Sequence, residues 1–507
     1  MAFKQPDDKG RPPVPAPAAP TPAKPVAPPV QKVAKSVARP KGPPERLVSL
    51  DAYRGLTMLL MASGGLGIGR LVNRDPDFVH RYDASWFGKP WAMFWQTAAT
   101  QLEHVTWTGC TVWDLIQPSF MFMVGVAMPY SYASRAARGD SWARQFSHAL
   151  IRSLVLILLG IFLRSTNSGM TNFTFEDVLT QIGLGYLFVF LLLSAPFWAQ
   201  LVALAAILGG SWFFFFHQPL PPPQGNLVTR YMVEKRHLKP EEWNQFTGLA
   251  AHWNKHTNAA AEADRKFLNL FPRPEEPWEG KKFWINGGGY QTLNFVPSMA
   301  TILLGVMAGQ LLRSLRTPRR KLETLIAAGA VCFVASMLID TTIWPFHFDK
   351  LTYSLCPIVK RIWTPSWVVF SAGWTFWFLA VFYWIVDMRG HRRLAFPLAI
   401  VGMNSIAVYC IADLMEGWLA SMLKIHLTAF DAALHTPVVK PAVDFIVRIL
   451  AKMHIHLAAL ETVANEGLAK LLYDTTAAAV VWRHCAVLLL IWLICLWMYR
   501  RRIFVRI

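Results

Sequence analysis

The feature that most limits what this chain can become is a recurrence of mostly apolar runs, about 18 to 22 residues long, separated by short basic loops. A helix of that length crosses a hydrocarbon core of about 30 Å. In a bilayer every backbone polar group must be satisfied internally, which leaves helices or a closed barrel as spanning structures. The runs fall at about 56–72, 111–132, 146–163, 178–194, 196–216, 293–312, 325–344, 366–386, 394–415 and 479–498. Only 16% of the 507 residues are charged, against about a quarter in soluble domains, and mean hydropathy is +0.31. The expected fold is therefore an all-α integral membrane protein with about ten transmembrane helices. The 22 tryptophans suit the aromatic belts at the two interfaces.

Charge orients the spans. When ten spans alternate, the basic loops 135–144, 313–321 and 389–393, the tail 500–506 and the basic N-terminal region share one side. Short loops rich in Lys and Arg stay in the cytoplasm, so both termini are expected there, and the chain is expected in the cell's inner (plasma) membrane. The same rule accounts for the net charge of +19 without a nucleic-acid partner. Outward-facing inserts are then expected at 73–110, 217–292 and 416–478, with an amphipathic interfacial helix over 90–103 and further interfacial helices in 416–478.

Residues 1–46 hold 13 of the 34 prolines. That density blocks helix and sheet, so a disordered, Pro-rich cytoplasmic tail is expected, with 47–507 as the membrane domain. The six cysteines lack metal-ligand spacing, and no metal site is expected. A Cys110–Cys356 disulfide between outer loops is one open pairing.

Ionisable and amide side chains in or beside spans are costly in hydrocarbon and should face a bundle interior or a water-filled cavity. Here they are Asp51, Arg54, His104, Asp114, Arg152, Gln181, Asn294, Asn404, Ser405 and Asp413. Asp51 and Arg54 share a helix face. Arg54 and Arg152 lie toward the cytoplasmic side, where guanidinium groups suit a phosphate-bearing ligand but also serve as plain anchors. His104 precedes the second span and Asp114 lies in its first turns. A neutral imidazole can take a proton or carry an acyl group, and a carboxylate can orient the ring and stabilise its cation. A histidine resting at the interface fits the same residues. Glycines 64, 65, 67 and 69 crowd the outer end of the first span, where close helix packing accounts for them.

Six blocks, in this order, carry a resemblance: RLVSLDAYRGLTMLLM (46–61), HVTWTGCTVWDLIQPSFMFMVG (104–125), VLTQIGLGYLF (178–188), NFVPSMATILLGVMAG (294–309), GMNSIAVY (402–409) and RRIFVRI (501–507). Together they resemble the heparan-α-glucosaminide N-acetyltransferase family, over almost the whole chain from residue 46. The resemblance implies acetyl transfer across a membrane, from cytosolic acetyl-CoA as cosubstrate to an amino-sugar acceptor on the other side. The family's active-site histidine matches His104 and its following aspartate matches Asp114. A family asparagine near the outer end of the first span falls on Gly65.

The resulting expectation is a transmembrane acyltransferase acting on an amine or hydroxyl of an extracytoplasmic sugar or glycan. Asp51, Arg54, Arg152 and Gln181 are expected to serve acetyl-CoA, and Trp107, Asn294, Asn404 and Ser405 to line the acceptor site. Membrane lipid and the glycan acceptor are the expected partners, with a homodimer as an open assembly. A secondary transporter or flippase of a glycan-related substrate is the alternative, and the absence of a visible internal repeat argues against it.

Overall fold

A computed structural model describes residues 47–80, 88–220, 227–235, 246–273, 284–342, 353–434, 467–473 and 477–505, with isolated positions at 237, 239, 280, 440–441 and 444–445. The Pro-rich segment 1–46 lies outside the described residues. The longer helices, labelled here in chain order, are α1 (Val48–Ala62), α2 (Gly88–Gln101), α3 (Ile116–Ala137), α4 (Trp142–Ser165), α5 (Val178–Leu192), α6 (Phe197–His217), α7 (Ala259–Leu268), α8 (Phe295–Arg313), α9 (Pro318–Ile339), α10 (Pro365–Phe382), α11 (Arg392–Gly402), α12 (Ser405–Leu434) and α13 (Ala477–Arg500). Short helical turns join them, and the only β-structure among the described residues is two isolated bridges.

The fold is an all-α, multi-pass membrane protein. Eight helical stretches among the described residues are long and apolar enough to cross a membrane, and α5 is a shorter apolar helix. The expected spans fall on these nine together with α3, which has 22 residues and buries more than half of them. Segment 90–103 matches α2, which exposes Met93 and Phe94.

Close approach organises the centre. A Cβ on Gly125 of α3 would overlap the Ile302 carbonyl oxygen of α8, and one on Gly305 would overlap that of Phe122. Gly309 meets Val126 in the same way. Small residues at this spacing let backbones touch where lipid gives no hydrophobic drive for association. Pro129 lies within α3, and Arg313 Nη1 donates to its carbonyl oxygen at 2.7 Å.

Two expectations are corrected. The span expected over 394–415 is broken at Met403–Asn404 into α11 and α12. Asn404 fixes the break: its Nδ2 donates to the Ile503 carbonyl oxygen at 3.1 Å, and its Oδ1 accepts from the Val505 amide at 3.0 Å. The apolar run then continues, so residues 416–434 belong to α12, one continuous helix long and apolar enough to cross a membrane, and no separate helix begins at 416. Most of 435–466 lies outside the described residues.

Above the bundle sits a second, smaller core of Trp107, Phe215, Trp253, Cys356, Val359 and Ile362. It joins three stretches far apart in sequence: the loop after α2, the described part of insert 217–292, and the loop before α10. An antiparallel bridge between Thr108 and Val359 and the Gly109 amide bond to the Ile358 carbonyl oxygen (3.1 Å) tie the first to the third. Cys110 and Cys356 are both free thiols.

Candidate active site

The loop 102–115 has few backbone partners of its own, so side chains fix it. Thr111 Oγ1 donates to the Glu103 carbonyl oxygen at 2.7 Å, and Trp107 Nε1 donates to that of Trp253 at 3.1 Å. Asp114 stands in a single 3₁₀ turn, Trp113–Leu115, immediately before α3. Its Oδ2 accepts from the Val105 amide (3.3 Å), the Thr111 amide (3.2 Å) and the Thr111 hydroxyl (2.9 Å). Its Oδ1 lies 2.7 Å from His104 Nδ1 and 3.2 Å from Lys360 Nζ.

Asp114 and Lys360 are buried, whereas 41% of the His104 side chain is exposed. A carboxylate surrounded by donors and an ammonium is held ionised, so in the neutral imidazole it favours the tautomer with the proton on Nδ1, toward Asp114, and the lone pair on Nε2. Lys360 Nζ is also 3.2 Å from His104 Nδ1. Both nitrogens are then donors aimed at the same carboxylate oxygen. Burial pulls the Lys360 ammonium below its usual value, and the Asp114 charge opposes that pull.

The turn carrying Lys360 is held with equal care. Arg361 donates to the Gly288 carbonyl oxygen (2.7 Å) and the Val105 carbonyl oxygen (3.3 Å), and its guanidinium lies over the Tyr290 ring. Asn294 Nδ2 donates to the Arg361 carbonyl oxygen at 2.6 Å.

His104 and Lys360 open on a cavity of about 190 Å³ that is also lined by Met58, Met61, Phe120 and Tyr290. Arg164, Glu176, Asp177 and Tyr409 complete a polar wall. Asp177 caps α5 through the Leu179 amide (2.8 Å) and accepts from the Tyr409 hydroxyl (2.7 Å).

A larger cavity, about 550 Å³, opens among Asp51, Arg54, Arg135, Arg138, His148, Arg152 and Ser405. The Nε atoms of Arg135 and Arg152 and Nδ1 of His148 are buried there without a hydrogen-bond partner. Four arginine side chains around one cavity fit a ligand rich in anionic oxygens. Arg54 Nη1 lies 4.0 Å from Asp51 Oδ1, and the Arg152 guanidinium lies over the Tyr186 ring at 5.0 Å. The two cavities meet opposite ends of α3: Gln117 lines the first and Arg135 the second, about 27 Å apart along the axis at 1.5 Å per residue. Phe120 lines both.

Of the residues singled out from sequence, His104 and Asp114 come together, as do Asp51, Arg54, Arg152 and Ser405. Gln181 lines neither cavity; its Nε2 donates to the Phe175 and Thr292 carbonyl oxygens, which fixes the loop carrying Glu176. Trp107 and Asn404 serve packing and a chain clamp, and Asn294 supports the Lys360 turn. Asp413 borders the Tyr409 side, outside the cavity lining. Gly65 has φ +66°, and a Cβ there would lie 2.9 Å from the Leu102 carbonyl oxygen, two residues ahead of His104.

Lys360, Glu176 and Tyr409 were missed. Lys360 did leave a signal: Lys360–Arg361 is a basic pair at a span end that the alternation of spans assigns to the outside, against the charge rule that orients the others. Among the described residues no group of three or more His, Cys, Asp or Glu is placed to hold a metal ion.

Comparison with curated proteins finds heparan-alpha-glucosaminide N-acetyltransferase of Homo sapiens, 26% identical over 409 residues, and that of Mus musculus, 24% identical over 408. Each match covers 74% of this chain and 54% of the relative, so the chain spans about half the length of the curated relatives it matches. No family model matches. The resemblance carried by the six motif blocks is supported by these matches, and over some three quarters of its length the chain is similar to the heparan-alpha-glucosaminide N-acetyltransferases.

Proposed function

We propose that this chain transfers an acetyl group from cytosolic acetyl-CoA to an amine or hydroxyl of an extracytoplasmic sugar or glycan. The observation that carries the reading is the pair of cavities at opposite ends of α3, one basic and one holding His104, with Phe120 in the wall of both. A CoA phosphate cannot cross hydrocarbon, so a transmembrane acetyl transfer needs an anion site on one side and the reacting group on the other.

In this reading Arg54, Arg135, Arg138 and Arg152 hold the phosphates by charge-assisted hydrogen bonds. The guanidinium-bearing side chains of Arg135 and Arg152 border that cavity. The narrow acyl-bearing arm extends between α1 and α3, past Phe120, to His104. With Nδ1 bonded to Asp114, His104 presents Nε2 as a base or as the acyl carrier. Asp114 stabilises the imidazolium that forms. The Lys360 ammonium sets positive charge beside the point where a thioester oxygen turns negative.

His104→Ala in proteoliposomes tests this. Transfer of labelled acetyl from acetyl-CoA should fall at least 100-fold, roughly the lower bound for loss of a general base. Thermal stabilisation by acetyl-CoA should persist, because the phosphates bind elsewhere. Near-normal transfer in the variant would refute the role of His104. A wild-type protein stabilised by free sugars but not by acetyl-CoA would favour a transporter.

A further inference from the structure

Glu176 stands in the wall of the His104 cavity and has no role in the scheme above. Its neighbour Asp177 is committed on both oxygens, to the α5 cap and the Tyr409 hydroxyl. Glu176 is less bound: its Oε1 is 3.9 Å from Arg164 Nη2, too long for a hydrogen bond. The loop that carries it is fixed from both sides, by Gln181 on the Phe175 carbonyl oxygen and by Arg273 on that of Phe173 at 3.0 Å. A half-buried carboxylate on a fixed backbone, with an open face toward a reaction cavity, suits proton transfer.

We propose that Glu176 is the base that receives the proton of an incoming amine acceptor. The proposal rests on the acetyltransferase reading and adds a second catalytic residue to it. The amine nitrogen attacks the acetyl carbonyl carbon and a C–N bond forms. The bond from that carbon to the CoA sulfur, or to His104 Nε2 if the acetyl group is first carried there, breaks with its electron pair. The proton lost by nitrogen goes to a Glu176 carboxylate oxygen. His104 is thereby left free for the acyl group.

The charges around Glu176 agree with this use. Burial pushes its carboxyl up to about 7, with Arg164 of α4 pulling down and the neighbouring Asp177 and Asp264 of α7 pushing up. Arg273 adds a weaker downward pull. His104, Lys360, Tyr290 and Tyr409 complete the titratable groups facing the cavity. A base with this value is ionised for half of the molecules near neutral pH and still strong enough to take a proton there.

The test is Glu176→Gln, with Glu176→Asp beside it, assayed in proteoliposomes with amino-sugar acceptors of two different amine basicities. Wild-type kcat/KM should rise with pH and level off above about 7, on a limb that stays put when the acceptor changes. Glu176→Gln should lose that limb and at least 100-fold in rate, roughly the lower end for general-base catalysis. Glu176→Asp should keep the limb at a reduced rate. Acetyl-CoA should stabilise all three proteins equally, which excludes misfolding. A Glu176→Gln protein within threefold of wild type, or a slower one that retains the limb, overturns the assignment of Glu176 alone. No acceptor-dependent CoA release from the wild type overturns the acetyltransferase reading and this inference with it.

Discussion

Replacing Asp114 with Asn tests the His104 site most sharply, because it removes one charge and leaves the shape. Asp114 faces a buried lysine at 3.2 Å and an imidazole at 2.7 Å. With the carboxylate gone, Lys360 remains in a pocket where burial already disfavours its charge. Breaking one side of a buried pair costs roughly 3–5 kcal/mol. A ceiling follows from titration: the variant can always release the Lys360 proton, which from a normal value near 10.4 costs about 4 kcal/mol at about pH 7.5. The unfolded chain then binds a proton that the folded variant lacks. Stability of Asp114→Asn therefore rises by up to about 1.4 kcal/mol per pH unit, until the unfolded lysine titrates near 10.

The wild type keeps the ion pair and should show a flatter curve over the same window. Thermal unfolding in detergent between about pH 6.5 and 9.5 measures the difference, and the gap between the proteins should close as pH rises. Acetyl transfer should fall roughly 10⁴-fold, the scale seen when an orienting aspartate is neutralised in a serine-protease triad. Parallel stability curves would refute the buried Lys360–Asp114 pair, and a transfer rate within tenfold of wild type would refute the role of Asp114 in orienting His104.

Two further changes separate binding from transfer. Arg54→Ala and Arg152→Ala should each weaken acetyl-CoA binding by about 1.5–3 kcal/mol, as for a lost hydrogen bond to a charged group; unchanged affinity by calorimetry would remove that arginine from the phosphate site. Phe120→Trp adds bulk where the two cavities meet, so kcat should drop while acetyl-CoA affinity stays constant. An unaltered kcat would mean that the acyl group takes another route.

Much of this was legible from residue order. Apolar run length gave the spans, and their basic loops grouped the cationic ends that meet around Arg54 and Arg152. His104 and Asp114 sit ten positions apart, within one motif block, so sequence could join them. Lys360 reaches the same carboxylate across 246 positions, through a loop pinned by Thr108, Asn294 and Arg361, and no local pattern encodes that meeting. Glu176 is of the same kind: an acidic residue before a span reads as a helix start, and only the tertiary fold, with Phe175 against Phe267 of α7, puts it in the wall of the His104 cavity. Conversely, Trp107, Gln181 and Asn404 were rare and polar enough to suggest ligand contact, yet each satisfies backbone groups that the irregular loops and the α11–α12 break leave open.

The thin partition at Phe120 has an electrical consequence. With polar cavities on both sides, the voltage of an energised membrane falls mainly across the short apolar layer between them. The bond to the CoA sulfur breaks on the His104 side of that layer, the thiolate withdraws through it with CoA, and the amine acceptor leaves its proton behind on Glu176. The product itself is neutral, but each turnover separates one negative and one positive charge across the partition. The proposed reaction is in this sense an outward current of one elementary charge per acetyl group, and an inside-negative potential opposes it by about 2.3 kcal/mol per 100 mV.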